Sequence, residues 1–203
     1  MNSQEHWEHI YTTKAPDQVS WYCDHLNTSL DLIESTAIPR TASIIDVGAG
    51  ESTLVDDLLT RGYSNLTVLD ISPAAIAAGR KRVGDSERVR WLVSDITQAA
   101  LEPSAYDVWH DRAVFHFLTS AADRRAYVRQ VIHAVKRGGH VIVSAFGPEG
   151  PTRCSGLKVV RYDAESLYGE FGSNFRLISS SRQLHETPFG TTQQFLSCHC
   201  VLQ

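Results

Sequence analysis

Long apolar runs are missing from this chain of 203 residues. None of its hydrophobic stretches approaches the ~20 residues that a membrane-spanning helix requires. The opening stretch, residues 1–16, lacks the basic-then-apolar layout of a secretory leader. Cysteine is scarce: the four residues Cys23, Cys154, Cys198 and Cys200 suit reduced thiols better than a disulfide framework. Cys198 and Cys200 stand two apart in a terminal apolar run, share a strand face with Leu196 and Leu202, and read as packing. The nine histidines are scattered, and His6 and His9 have no metal-ligand spacing, so no metal is expected. A strong charge of either sign is also absent. The formal net charge of −4 gives no reason to expect a nucleic acid or an anionic membrane as partner. There is no internal repeat, no linker, no coiled coil and no exposed apolar helix. The chain therefore reads as a cytoplasmic protein of one domain, large enough for a full core, and a monomer or weak dimer.

What is present is concentrated in residues 43–52, SIIDVGAGES, and in Leu69-Asp70-Ile71-Ser72 some way downstream. An apolar run ends in a glycine-rich turn, a helical segment follows, and a second apolar run ends in an acid. In a parallel sheet this order lets backbone amides approach a nucleoside at the turn while the acid takes its ribose hydroxyls.

Periodicity extends the pattern. A helix is expected over 19–35, preceded by a less regular segment carrying Trp7 and Tyr11. Strands are expected at 43–47, 65–70, 89–94, 106–110 and 140–146, with helices at 53–61, 73–83 and 122–135 between them. Pro73 sits where its missing N–H costs a helix nothing, and Arg137-Gly138-Gly139 reads as a helix stop. A Gly- and Pro-rich loop occupies 147–163, Asp163 caps a helix reaching Phe171, and strands follow at 175–182 and 193–202. The link between these last strands is too short for a parallel crossover, so they form an antiparallel hairpin. A nicotinamide dehydrogenase would instead continue with further βαβ units.

Over nearly its whole length the chain resembles the class I S-adenosylmethionine-dependent methyltransferases. Asp46-Val47-Gly48-Ala49-Gly50 resembles their first motif, with Ser52 in place of its third glycine. Asp70 matches the acid that binds both ribose hydroxyls, and Ile71 follows where the family packs on adenine. Asp95, followed by Ile96, matches the acid that accepts from the adenine amino group, and residues 137–143 resemble the glycine turn into the fifth strand. The resemblance implies an α/β, Rossmann-like, doubly wound sheet of seven strands in the order 3-2-1-4-5-7-6 with the last strand antiparallel. It implies one methyltransferase domain over 1–203, with a helical N-terminal lid over 1–40 and a core over 41–203. S-adenosylmethionine is the implied cofactor and S-adenosylhomocysteine its product. The cofactor would be held by Asp46, Gly48, Ala49, Gly50, Asp70, Ile71, Asp95 and Ile96, with Tyr11 and Trp21 folding over it from the lid.

Acceptor identity is less legible, because the cofactor supplies the electrophile and the protein mainly orients the partners. The segment beyond the fourth strand holds the candidates for the reaction itself: His110, Asp111, Arg112 and His116. Either histidine can serve as base or acceptor ligand, Asp111 can neutralise a cationic acceptor, and Arg112 can contact an anionic group. His6-Trp7-Glu8-His9-Ile10-Tyr11, the later Ser20-Trp21-Tyr22 and Asp111-Arg112 resemble the group that methylates lysines of elongation factor 1A and citrate synthase. A protein lysine and a small molecule are the competing acceptors. The alternatives are a nucleoside-binding regulatory module without transfer activity, and a thiol or metalloid methyltransferase using Cys154.

Overall fold

The structure, a computed structural model, describes residues 3–203. Met1 and Asn2, the first residues of the expected lid, lie outside the described residues. The chain alternates strand and helix: α1 (Ser3–Thr13), α2 (Asn27–Ser35), β1 (Ser43–Val47), α3 (Leu54–Thr60), β2 (Asn65–Asp70), α4 (Pro73–Val83) and β3 (Val89–Val93). It continues with β4 (Tyr106–Arg112), α5 (Ala121–Ala134), β5 (Val135–Phe146), α6 (Ala164–Phe171), β6 (Phe175–Glu186) and β7 (Thr192–Leu202). A two-residue ladder pairs Arg153–Cys154 with Leu157–Lys158 inside the loop after β5.

The strands form one sheet in the order β3-β2-β1-β4-β5-β7-β6. β1 to β5 run parallel, and β7 pairs antiparallel with both β5 and β6. Apolar residues on both faces of the central strands let helices cover each side. Ile44, Val68, Val108 and Ile142 face the layer of Leu30, Ile33, Leu54 and Leu58. Their chain neighbours Ile45, Leu69, Trp109 and Val141 face Tyr127, Val131, Leu167 and Phe171. This is the period-two alternation of a sheet buried on both sides.

Caps set several helix starts. Ser72 accepts from the Ala75 N–H with Pro73 at the first helical position, Ser120 accepts from Asp123, and Asp163 accepts from Ser166. Four expectations are corrected. The segment carrying Trp7 and Tyr11 is a helix, α1. The helix expected over 19–35 begins only at Asn27, because Leu26 holds a non-helical backbone, the Cys23 thiol bonds the His25 carbonyl and the Asp24 carbonyl accepts from the distant Thr53 hydroxyl. β4 runs on through Asp111 to Arg112, since those polar residues find partners within the fold. β5 begins at Val135, and the glycines at 138 and 139 make an irregularity in its ladder with β4 rather than a break before it. Among the described residues no helix is long and apolar enough to cross a membrane.

Candidate functional site

The site is built first from backbone. Gly48 and Gly50 hold φ of +65° and +54°, a region that disfavours any β-carbon. Space demands glycine as well. A β-carbon at Gly48 would overlap the Val114 side chain, and one at Gly50 would overlap the Tyr11 hydroxyl. The Gly48 and Ala49 N–H groups donate to the Leu69 carbonyl at 2.7 and 3.2 Å, which stitches the turn after β1 to the end of β2. The next residue of β2 is Asp70. Its Oδ2 accepts from the Gly50 N–H at 2.8 Å and its Oδ1 from the Ser72 N–H at 2.9 Å. Burial pushes this carboxyl up to about 6, against the pull of those two N–H donors.

A cavity of about 330 Å³ lies at the carboxyl ends of the strands. Strand order divides its lining. Asp70, Ile71, Asp95 and Ile96 come from the β2 and β3 side, whereas Phe146 and Phe195 come from β5 and β7. Gly48 and Arg112, from β1 and β4, stand between them. Trp7 of α1 and Trp21 complete the aromatic half: the Trp7 ring lies 5.7 Å from Trp21 and 5.0 Å from Phe117, both edge to face. A smaller cavity of about 60 Å³ adjoins it, lined by Asp46, Ala49 and His110, and shares Tyr11, Trp21, Gly48 and Arg112 with the larger one.

Of the ten expected cofactor residues, nine therefore border one cavity or the other. The tenth, Gly50, contributes by holding Asp70. Asp95 uses a single oxygen, Oδ1, to accept from both the N–H and the hydroxyl of Thr97, and its side chain lines the larger cavity. A nucleoside with two vicinal hydroxyls and an amino-acid tail fits this donor set. Fixed carboxylates, apolar faces at Ile71 and Ile96, and a glycine turn with no room for side chains are what it needs.

The four candidates beyond β4 separate. His110 is fully buried, with Nδ1 2.7 Å from Asp46 Oδ1 and Nε2 2.9 Å from Ser29 Oγ. Both ring nitrogens are thus engaged, one by a carboxylate and one by a hydroxyl. Asp111 is buried too. It accepts from the Val114 and Phe115 N–H groups and from the Tyr127 hydroxyl at 2.6 Å, and burial pushes it up to about 6. These bonds fix the turn after β4. His116 packs beside Phe117 and Phe146, accepts from the Phe146 N–H at Nδ1, and is held neutral by burial, which lowers it to about 3. Neither Asp111 nor His116 borders either cavity, and His110 borders only the smaller. Arg112 borders both.

Sequence reasoning missed two contributors. Ser29, on α2, completes the His110 pair. Glu8, on α1, accepts from the Ser72 hydroxyl and the Ala74 N–H at the start of α4. Neither carries a local signal, because each partner is more than sixty residues away in the chain. Among the described residues no group of acids, histidines and cysteines could hold a metal ion.

The likeness to known proteins agrees with this geometry. Residues 45–141 match a methyltransferase-domain family model. Human EEF1A lysine methyltransferase 2 is 22% identical over 193 residues, covering 88% of this chain and 76% of that protein. A structure described as the conversion of a disulfide bond into a thioacetal group during echinomycin biosynthesis superposes with a TM-score of 0.81 at 16% identity, covering 100% of this chain and 92% of that one. Burkholderia thailandensis 1,6-didemethyltoxoflavin-N1-methyltransferase, bound to 1,6-didemethyltoxoflavin and S-adenosylhomocysteine, superposes at 0.71 with 19% identity, covering 99% and 84%. With the seven-stranded order and the glycine-and-acid site already in place, these likenesses support a class I S-adenosylmethionine-dependent methyltransferase resembling the elongation factor 1A lysine methyltransferases.

Proposed function

We propose that the chain transfers a methyl group, in line, to a nucleophile seated in the aromatic half of the large cavity. The observation that carries this is continuity. One space of about 330 Å³ joins the acids of β2 and β3 to a chamber walled by Trp7, Trp21, Phe117, Phe146 and Phe195. S-adenosylmethionine, when bound, supplies an electrophilic methyl group. Asp70 would accept from the ribose hydroxyls, Asp95 from the adenine amino group, Ile71 and Ile96 would pack on the base, and Gly48 to Gly50 would lie along the amino-acid part. Asp46, held by His110, would face that same end from the smaller cavity. Tyr11 and Trp21 would cover the site and exclude water, so orientation and desolvation supply much of the rate.

The chain's own residues offer little acid–base chemistry there. His116 is neutral and turned away, Asp111 is consumed by the turn after β4, and His110 is locked between Asp46 and Ser29. The reading is therefore transfer by positioning. Cys154 borders the cavity, but burial pushes its thiol up to about 11, so a thiolate role has little support. A protein lysine remains the second reading, favoured by the likeness to human EEF1A lysine methyltransferase 2. A cytoplasmic setting fits the free thiols of all four cysteines.

Calorimetric titration with S-adenosylhomocysteine and with NAD tests the cofactor; tight binding of the first and silence of the second are expected. Radiolabelled methyl transfer into a lysate, split into protein and small-molecule fractions, then tests the acceptor. Label in neither fraction, despite cofactor binding, would point to a binding module without transfer.

A further inference from the structure

We propose that the acceptor is a small, flat, apolar molecule bearing an oxyanion, such as a carboxylate, and that Arg112 pairs with that group. The inference rests on the methyl-transfer reading and concerns its acceptor alone.

Arg112 is the last residue of β4 and stands where the two cavities meet. A guanidinium has five N–H donors and no acceptor. Here Nη1 donates to the Trp21 carbonyl at 3.2 Å, and the guanidinium carbon lies 4.6 Å from the centroid of the Phe195 ring. Arg40, Arg61, Arg82 and Arg124 each hold a carboxylate, whereas Arg112 makes no ion pair among the described residues. Asp46, the carboxylate whose charge acts on it, is already engaged by His110. Removal from water lowers the guanidinium to about 10, the direction expected of a cation without a full counter-charge. Arg112 is half-buried, and a cation partly withdrawn from water without a partner is costly. A ligand anion would supply that partner, in the planar geometry that an arginine fork recognises.

The walls give the rest of the molecule its character. Trp7, Trp21, Phe117, Phe146 and Phe195 surround the space beside Arg112, with Phe146 and Phe195 4.9 Å apart. Such walls suit a flat ring. On their own they would also suit an ammonium, through the faces of the rings. The charge of Arg112 decides between the two. It already lies over Phe195, neither β5 nor β7 brings a carboxylate to the cavity, and Asp123, which lines it from α5, accepts from the Ser120 hydroxyl. The amino-acid tail of the cofactor also ends in a carboxylate. The guanidinium nonetheless stacks on Phe195, a residue of the larger cavity only.

The experiment uses the full chain saturated with S-adenosylhomocysteine and three matched probes: 2-naphthoate, 2-naphthamide and 2-naphthylmethylamine. Binding of S-adenosylhomocysteine is measured first; its absence in the wild type would overturn the methyl-transfer reading itself. With cofactor bound, naphthoate is expected to bind at least tenfold more tightly than the amide, and the amine more weakly still. Arg112→Met should erase this order while leaving S-adenosylhomocysteine affinity within twofold. Arg112→Lys, which keeps the charge but not the fork, should retain a reduced preference and guards against a Met variant that fails to fold. Equal binding of the three probes, or preference for the amine, overturns the proposal. So does an Arg112→Met variant that loses S-adenosylhomocysteine and keeps the probe order, since Arg112 would then serve the cofactor.

Discussion

Ser72 Oγ donates to Glu8 Oε2 at 2.5 Å, and the Ala74 N–H donates to the same oxygen at 3.0 Å. A carboxylate from α1 thus caps the positive end of α4, the helix that follows Asp70. One turn beyond Glu8, Tyr11 lies against Gly50. The latch between two distant helices is what sets the N-terminal segment over the site.

Glu8→Ala is therefore expected to loosen α1 without unfolding the sheet. Beside the cap, α1 is retained by buried Ile10 and by the contacts of Trp7 and Tyr11. Loss of the cap costs about 0.5–2 kcal/mol. Amide exchange over 4–13 should accelerate, and S-adenosylhomocysteine should dissociate several-fold faster. Unchanged exchange in α1 would show that the aromatic contacts of Trp7 suffice to hold it.

Gly50→Ala should cost binding more than stability. At φ +54° a β-carbon carries a left-handed penalty of about 1–2 kcal/mol. The new methyl group also meets the Tyr11 hydroxyl, which must move. Far-UV circular dichroism is expected to be retained while S-adenosylhomocysteine affinity falls by tenfold or more. Affinity within twofold of the wild type would mean that Tyr11 does not close the site.

What the sequence revealed, and what it hid, divides by the range of the interactions. β1 and β2 were legible because their apolar runs are short and bounded, and Asp163 because a cap acts on its own next turn. The antiparallel end followed from loop length alone. α1 was hidden because its apolar face, Trp7, Ile10 and Tyr11, is a single turn in an otherwise polar segment. β4 looked too short because Asp111-Arg112 reads as the start of a turn; Tyr127 and the Phe195 ring, which satisfy those side chains, come from elsewhere in the fold. The same remoteness hid Glu8 and Ser29. The acid-lined half of the cavity rests on motifs local to strand ends, whereas the aromatic half is assembled from α1, β4, β5 and β7.

His110→Ala separates a positioning role from a base. Asp46 is 6% exposed and His110 not at all, so the substitution strands a buried carboxylate and opens a void. Breaking such a pair costs about 3 kcal/mol, which in a chain of this size lowers Tm by roughly 6–12 °C. Ser29→Ala, which removes only the outer hydroxyl, should cost about 1 kcal/mol. Thermal melts of both variants check this. A His110→Ala protein that melts like the wild type but loses transfer would instead assign the imidazole to the reaction.

Asp70 links stability and binding to pH with opposite signs. Burial holds its carboxyl near 6 in the folded protein, above the ordinary value of 3.8. A raised acid contributes stability that is fully present below about pH 4 and is lost as pH rises through 6. Relative to Asp70→Asn, which does not titrate, the wild type should lose up to about 3 kcal/mol between pH 4 and pH 7.5. Cofactor binding runs the other way, because the ionised carboxylate accepts from ribose hydroxyls and the protonated acid does so less well. S-adenosylhomocysteine affinity of the wild type is expected to fall several-fold from pH 7.5 to 5.5, whereas Asp70→Asn binds weakly with a flat profile. Paired denaturant titrations and calorimetry across this range read both effects. A wild-type affinity that is level through pH 6 would remove Asp70 from the ribose contact.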